Sequence, residues 1–278
     1  MYNTVKTLMG SFHMLTLYLS PPFQTDFTIR TNCHHLSRSL FLKHGKYIEI
    51  SNESKGQIIT ALEDSGRYRI EFDGKITCSP NALSEIDHIV CENTHYDERF
   101  FALHGAAVGH EGKAYLFLAA TTGGKTTLAS YLSGAGFEYI TDDCILLHRT
   151  SFAVYPYQTP IHLREGGLQV LKRLQAVPLG IERFEDGGNI RYAYMPENCA
   201  DGPTPLGGIF FIQRTESENQ LTEMSTTEKM AALMKAPITD YAVSADYLKF
   251  ISALAGHPCR RLCYSRMDFV AEVIRDGR

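Results

Sequence analysis

Tryptophan is missing from this chain of 278 residues, so 15 tyrosines and 15 phenylalanines must supply the aromatic part of any core. The seven cysteines are an odd number and none sits in a C-x-x-C pair; Cys259 and Cys263 have no matching second pair that would complete a zinc site. Such usage suits reduced, packing thiols in the cytoplasm and excludes a disulfide framework. Long apolar runs are also lacking, and nothing approaches the roughly 18 to 20 residues that a membrane-crossing helix needs. The weak apolar run near the start is broken by Ser11, His13 and Thr16 with no small-residue cleavage site after it, so it reads as strand and turn rather than a leader. Positive charge is not in excess. Lys and Arg number 27 against 31 Asp and Glu, and the net charge of −4 lacks the diffuse positive field of nonspecific nucleic-acid binding. Neither a membrane nor a nucleic acid is expected as a partner. With 44% hydrophobic and 21% charged residues, the chain is excluded from disordered, collagen-like and coiled-coil classes.

Two parts differ in pattern. Residues 1–95 read as a small strand-rich domain of α+β character, in which Tyr47–Ile50 and Tyr68–Phe72 alternate apolar and polar positions. Asp73-Gly74 is a hairpin connection. His34 and His35, adjacent on an extended chain, would face opposite ways and share no metal. Residues 96–278 read as an α/β domain. Lys113–Ala120 is a nearly continuous apolar run, as for a strand covered on both faces, and Thr126–Leu132 has helical spacing closed by Gly134. Apolar strands follow at 139–147 and 206–212, with a late strand at 259–265. Helices are expected over 164–174, 226–235 with Ser225 or Thr226 as cap, and 241–255, while 182–206, rich in Gly, Asp, Asn and Pro, reads as mostly loop.

The densest chemistry lies in Ala119-Ala120-Thr121-Thr122-Gly123-Gly124-Lys125-Thr126-Thr127. This meets the G-x-x-x-x-G-K-[ST] phosphate-loop pattern everywhere except its first position, where Ala119 stands. Gly123 and Gly124 would let consecutive backbone N–H groups curl around an anion by adopting positive φ. Lys125 would reach the β- and γ-phosphates, and Thr126 would offer a hydroxyl to Mg²⁺ at the positive end of the following helix. The apolar strand before the loop and the helix after it set this apart from a Gly-Gly turn with a solvated lysine. Asp142 and Asp143 follow at the edge of the next strand, as candidate Mg²⁺ ligand and general base. Phe101–Val108 is a strand carrying His104, entering the loop's strand through His110-Glu111-Gly112.

The order of His104-Gly105, the loop through Gly124-Lys125-Thr126, and Asp142-Asp143 resembles the HPr kinase/phosphorylase catalytic fold, a phosphate-loop variant shared with phosphoenolpyruvate carboxykinase. Within that fold the segment is similar to the kinases encoded with lasso-peptide biosynthesis, which phosphorylate the precursor's C-terminal serine. The resemblance implies ATP and Mg²⁺ as cofactors, with nucleotide contacts from Thr121, Thr122, Gly123, Gly124, Lys125, Thr126 and Thr127. It implies His104 beside the transferring phosphate and catalysis by Lys125, Asp142 and Asp143. Either acid could be the base while the other holds the metal, with Thr126 and Asp143 as the metal pair taken here. Arg164, in a segment faintly similar to the family's M-R-G-x-G stretch, would touch the γ-phosphate or the substrate. The implied partners are a nucleotide, a peptide or protein substrate, and further copies of the chain. HPr or a small hydroxylated metabolite as acceptor, and a nucleotide-binding regulatory module with little turnover, are the competing readings.

Overall fold

The computed structural model describes residues 13–18, 25–94, 97–186, 188–238 and 244–277. They belong to two compact units, Met1–Asp97 with Gly180–Met195, and Glu98–Leu179 with Pro196–Arg278.

The first unit is built on β1 (His13–Tyr18), β2 (Asp26–Thr31), α1 (His34–His44), β3 (Ile48–Ile50), β4 (Gln57–Asp64), β5 (Arg67–Phe72), β6 (Lys75–Ser79) and α2 (Ala82–Asn93). Its sheet runs β3-β1-β2-β4-β5-β6, with β2 and β4 parallel and every other pair antiparallel. Asp73 and Gly74 both take positive φ, 47° and 72°, which is the turn that matches strand twist in a two-residue hairpin. Ser65 and Gly66 repeat the device one hairpin earlier. His34 and His35 are not extended: they open α1, and Cys33 caps it by accepting from the Leu36 N–H. The remaining residues before 25, beyond β1 itself, lie outside the described residues.

In the second unit the chain continues with β7 (Phe100–His110), β8 (Lys113–Leu118), α3 (Lys125–Gly134), β9 (Glu138–Thr141), β10 (Cys144–His148), β11 (Val154–Tyr155), β12 (Ile161–Arg164) and α4 (Glu165–Arg173). It then returns to the first unit through a hairpin of β13 (Glu182–Asp186) and β14 (Asn189–Tyr194), where the sequence suggested loop. Polar residues dominate that hairpin because much of it is solvated, and Phe184, Ala193 and Tyr194 are its buried side. The second unit is completed by β15 (Leu206–Arg214), β16 (Gln220–Glu223), α5 (Thr226–Leu233), α6 (Ala245–Ala255), β17 (Cys259–Tyr264) and α7 (Met267–Arg275). Ser225 and Glu228 form the capping box that starts α5. Residues 241–243, expected in the helix that precedes β17, lie outside the described residues; Ser244 caps α6.

The sheet of this unit is ordered β11-β10-β7-β8-β15-β17-β16, with β9 also on β7. Strands β8, β15 and β17 are parallel, so Leu118, Arg214 and Tyr264 finish at one edge. That edge, outside the carboxyl ends of parallel strands, is where α/β sheets bind ligands. One face is covered by Leu128 and Leu132 of α3 with Val270, Ala271 and Ile274 of α7, and the other by Tyr247, Phe250, Ile251 and Leu254 of α6. Burial on both faces explains the unbroken apolar run in β8. The architecture is mixed α/β, as expected. No helix among the described residues is long and apolar enough to cross a membrane.

Candidate active site

The site begins where β8 ends. Gly124 precedes α3 with φ of 91°, in the left-handed region that glycine enters without steric cost, and Thr122 takes φ of 67°. Gly123 departs from expectation because its φ is not positive. Its requirement is space: a Cβ there would fall 2.6 Å from the Cβ of Ala119 and 2.9 Å from the Ala120 carbonyl oxygen. The Gly123 N–H donates to that oxygen at 2.9 Å and draws the loop tight. Ala119 has no positive φ either, so alanine at the first loop position carries no backbone strain. Thr121 and Thr122 are exposed on the loop, and the Thr122 hydroxyl donates to the Thr121 carbonyl.

Lys125 reaches back across the loop rather than into solvent. Its Nζ donates to the carbonyls of Ala119 at 3.0 Å and Ala120 at 3.2 Å, and the residue is buried. Burial lowers its pKa, against the opposing pull of the Asp143 and Asp142 charges. No side chain caps the start of α3, so the N–H groups of its first turn stay open to an anion.

Asp142 and Asp143 lie between β9 and β10, which run one after the other along β7. Strand periodicity would send the two side chains to opposite faces. The strand breaks instead. The Cys144 N–H donates to the Asp142 carbonyl at 2.9 Å around Asp143, whose φ is 65°, which makes a γ-turn of the strained, positive-φ kind. Asp142 is buried and its Oδ1 has no hydrogen-bond partner. Burial pushes its carboxyl well above the usual range and the Asp143 charge adds to that, while the facing Thr126 hydroxyl, the Asp143 N–H and the Lys125 charge act the other way. The expected metal pair was Thr126 with Asp143; the carboxyl that faces Thr126 is that of Asp142.

His104 meets the same turn. Its backbone N–H donates to Ala236 at 2.7 Å, and its Nδ1 lies 3.2 Å from the Asp143 carbonyl oxygen. Gly105 beside it has no room for a side chain, since a Cβ would meet Ile145 Cδ1 at 2.6 Å, Leu118 Cδ2 at 2.7 Å and the Phe117 carbonyl at 2.8 Å. Arg164 is exposed and flanks α4 without capping it. Two residues into that helix, Gly167 packs so closely on α3 that a Cβ would stand 2.7 Å from Thr127 Oγ1.

One residue at the site carries no motif. Tyr264, the last residue of β17, is fully buried, and its hydroxyl would lie 3.2 Å from a Cβ on Gly124. A tyrosine closing an apolar strand gives no sequence signal; only the parallel order β8-β15-β17 carries it to the loop.

A divalent cation fits these residues. Among the described residues there is no cluster of three or more His, Cys, Asp or Glu, so a cage made wholly of protein ligands is absent. A buried carboxyl group that faces the Thr126 hydroxyl and keeps one oxygen, Oδ1, without a partner suits Mg²⁺, which takes few protein ligands and completes its shell with phosphate oxygens and water.

No protein-family model and no curated protein matches this chain. Among solved structures it is similar to the Hpr(Ser) kinase/phosphatase from Coxiella burnetii, at 11% identity and a TM-score of 0.33, over 64% of this chain and 95% of that one. The likeness is loose.

Proposed function

We propose that this chain is an ATP-dependent phosphotransferase that moves a γ-phosphoryl group to a serine hydroxyl of a peptide or protein. The observation that carries the proposal is the buried Asp142 carboxyl, which faces Thr126 and keeps its Oδ1 without a partner, beside a loop whose lysine is folded inward. A regulatory nucleotide binder needs the loop, but not an ion-ready carboxylate and a strained second acid next to it.

The residues divide the work. Open N–H groups of the loop and the first turn of α3 hold the phosphates, and Lys125 supplies a fixed positive charge among them. Thr126 and Asp142 would hold Mg²⁺, which supplies neutralisation of the phosphate oxygens in a loose transition state. Asp143 takes the acceptor hydroxyl's proton as the new P–O bond forms; the bond from phosphorus to the bridging oxygen breaks, and ADP leaves with that electron pair. His104 holds the Asp143 carbonyl and so the turn that aims the base. The Gly167 contact sets α4 against Thr127 in the first turn of α3, and to Arg164, at the start of α4, we assign the γ-phosphate or the acceptor.

For the acceptor we propose the C-terminal serine of a lasso-peptide precursor, which the order of motifs supports. The test is incubation with ATP, Mg²⁺ and a serine-ended peptide, and then weighing the peptide for one added phosphate. Lys125→Met and Asp142→Asn are expected to abolish transfer. Transfer unaffected by both substitutions would overturn the proposal, and transfer to HPr in preference to the peptide would move the acceptor without moving the chemistry.

A further inference from the structure

The phosphate loop springs from the end of β8, and the sheet puts different chemistry on its two sides. Along β7 on one side are His104, Asp142 and Asp143. On the other side is β15, which runs on through Ile212, Gln213 and Arg214 after its last pair with β8, Phe211 with Leu118. Arg214 therefore reaches beyond the strand end from which the loop starts, one strand away from it. By strand alternation it shares a face with Phe210 and Ile212, the face that α3 and α7 cover. A cavity of about 310 Å³ opens there. Tyr131 of α3 and Val170 and Leu174 of α4 give it apolar walls, and Arg173, Arg214 and Arg266 bring three guanidinium groups to it. All three arginines are exposed, so the cavity is open to solvent. Arg173 and Arg214 have no ion pair among the described residues, and Arg266 has only Asp268, at 3.5 Å.

We propose that this cavity is the nucleoside subsite of the phosphate loop, with Arg214 as a principal contact of the base. This rests on the phosphotransferase reading and assigns the end of the nucleotide that the motif residues leave unassigned. The γ-phosphate and the nucleoside are opposite ends of a nucleotide. With the first turned to the acids beside β7, the second extends to the β15 side, where the cavity lies. Tyr131 is six residues along α3 from Lys125, about 9 Å at roughly 1.5 Å per residue, which a nucleotide with its phosphates on the loop can span. Guanidinium groups stack on flat rings and donate to ring nitrogens, while Val170 and Leu174 cover the apolar part of the base. A second free phosphate would use the charge of this cavity but leave its apolar walls without a partner.

The test titrates wild type, Arg214→Gln and Val170→Trp calorimetrically with magnesium ADP and, separately, with magnesium pyrophosphate, two probes that differ by adenosine. Wild type is expected to bind ADP the more tightly. Arg214→Gln should weaken ADP about tenfold, the loss of a guanidinium stacked on a base. Val170→Trp, which fills the cavity without changing its charge, should weaken ADP at least as much. Pyrophosphate should stay within about twofold of wild type in both variants, because Arg214 acts on the loop's phosphates only through solvent-screened charge. Equal affinity of wild type for the two probes overturns the proposal and leaves the phosphate loop standing. So does wild-type ADP affinity in either variant, or an equal loss for both probes. A second pyrophosphate per chain that Arg214→Gln removes would mark a separate anion site and also overturns it. No binding of either probe by wild type removes the loop reading and this inference together. Should Val170→Trp fail to melt cooperatively, Arg214→Gln, at an exposed position, decides alone.

Discussion

The Cβ of Ala119 lies 2.6 Å from the point where a Cβ on Gly123 would stand. These two residues face each other across the loop, and the methyl group of one occupies the volume left by the hydrogen of the other. Alanine at the first loop position is therefore accommodated by glycine at the fifth. Gly123→Ala should close that space and cost about 1–3 kcal/mol of overpacking, with nucleotide affinity falling at least tenfold. Ala119→Gly alone should leave binding nearly unchanged. The double variant should recover only part of the loss, because the Ala120 carbonyl still stands 2.9 Å from the new Cβ. A double-mutant cycle on nucleotide titrations measures the coupling, and strict additivity would refute the contact.

Asp143 combines backbone strain with a chemical role, and substitutions can separate the two. Asn tolerates left-handed φ about as well as Asp, so Asp143→Asn should melt within a degree or two of wild type. Its transfer rate should fall by about 10²- to 10⁴-fold through loss of the proton acceptor. Asp143→Gly should be at least as stable as wild type, since glycine relieves about 1 kcal/mol of strain. Asp143→Ala should be the least stable of the three. Denaturant unfolding gives the stability order and peptide phosphorylation gives the rates.

Gly105→Ala should destabilise the second unit by about 1–3 kcal/mol. Two of the three atoms a Cβ would meet belong to side chains, Ile145 and Leu118, that can shift; the third is the Phe117 carbonyl oxygen, which lies in the sheet and cannot. The strain falls next to His104 and its contact with Asp143, so phosphoryl transfer should drop along with stability. Full activity in a stable Gly105→Ala protein would contradict this packing.

A separate pH response is expected from the first unit. Lys43 on α1 pairs with Asp87 on α2 and, at 3.1 Å, with Asp186 on β13, and His44 Nε2 stands 3.5 Å from Asp87. Burial works to raise the Asp87 carboxyl, but His44 and Lys43 outweigh it and hold it below the ordinary range. The folded pKa is the lower one, so the stabilisation is complete above the unfolded value of about 3.9 and disappears as pH falls through the folded value. Burial likewise opposes Lys43, whose pKa ends raised by Asp87 and Asp186. Its contribution is complete below about 10.4 and is lost as pH rises through the higher folded value. Between these limits Asp87→Ala should cost about 2 kcal/mol, less than a fully buried pair because both side chains keep some solvent contact. Acid and alkaline melts of wild type and Asp87→Ala should converge at the extremes and differ most in between.

Local physics made much of this molecule legible in its residues. A doubly buried strand must be an apolar run, as in β8; Asp73-Gly74 supplies the two positive φ values of a tight hairpin; and Ser225 with Glu228 satisfies the open N–H groups of α5 by itself. Each of these is settled among residues a few positions apart. So is the placement of Lys125, whose partners Ala119 and Ala120 lie within the same loop. Other features depend on residues distant in the chain and left no mark on it. The polar stretch from 182 to 194 pairs as a hairpin in which Phe184, Ala193 and Tyr194 are buried, and what buries them is not written in that stretch. Alternation along a strand would have parted Asp142 from Asp143; a γ-turn held by His104, some forty residues earlier, broke that alternation and turned Asp142 toward Thr126. Tyr264 reaches Gly124 only through the parallel order of three strands. Hydrogen bonding and φ preference act over a few residues and can be read from sequence, whereas desolvation and steric contact depend on what the fold brings together in space.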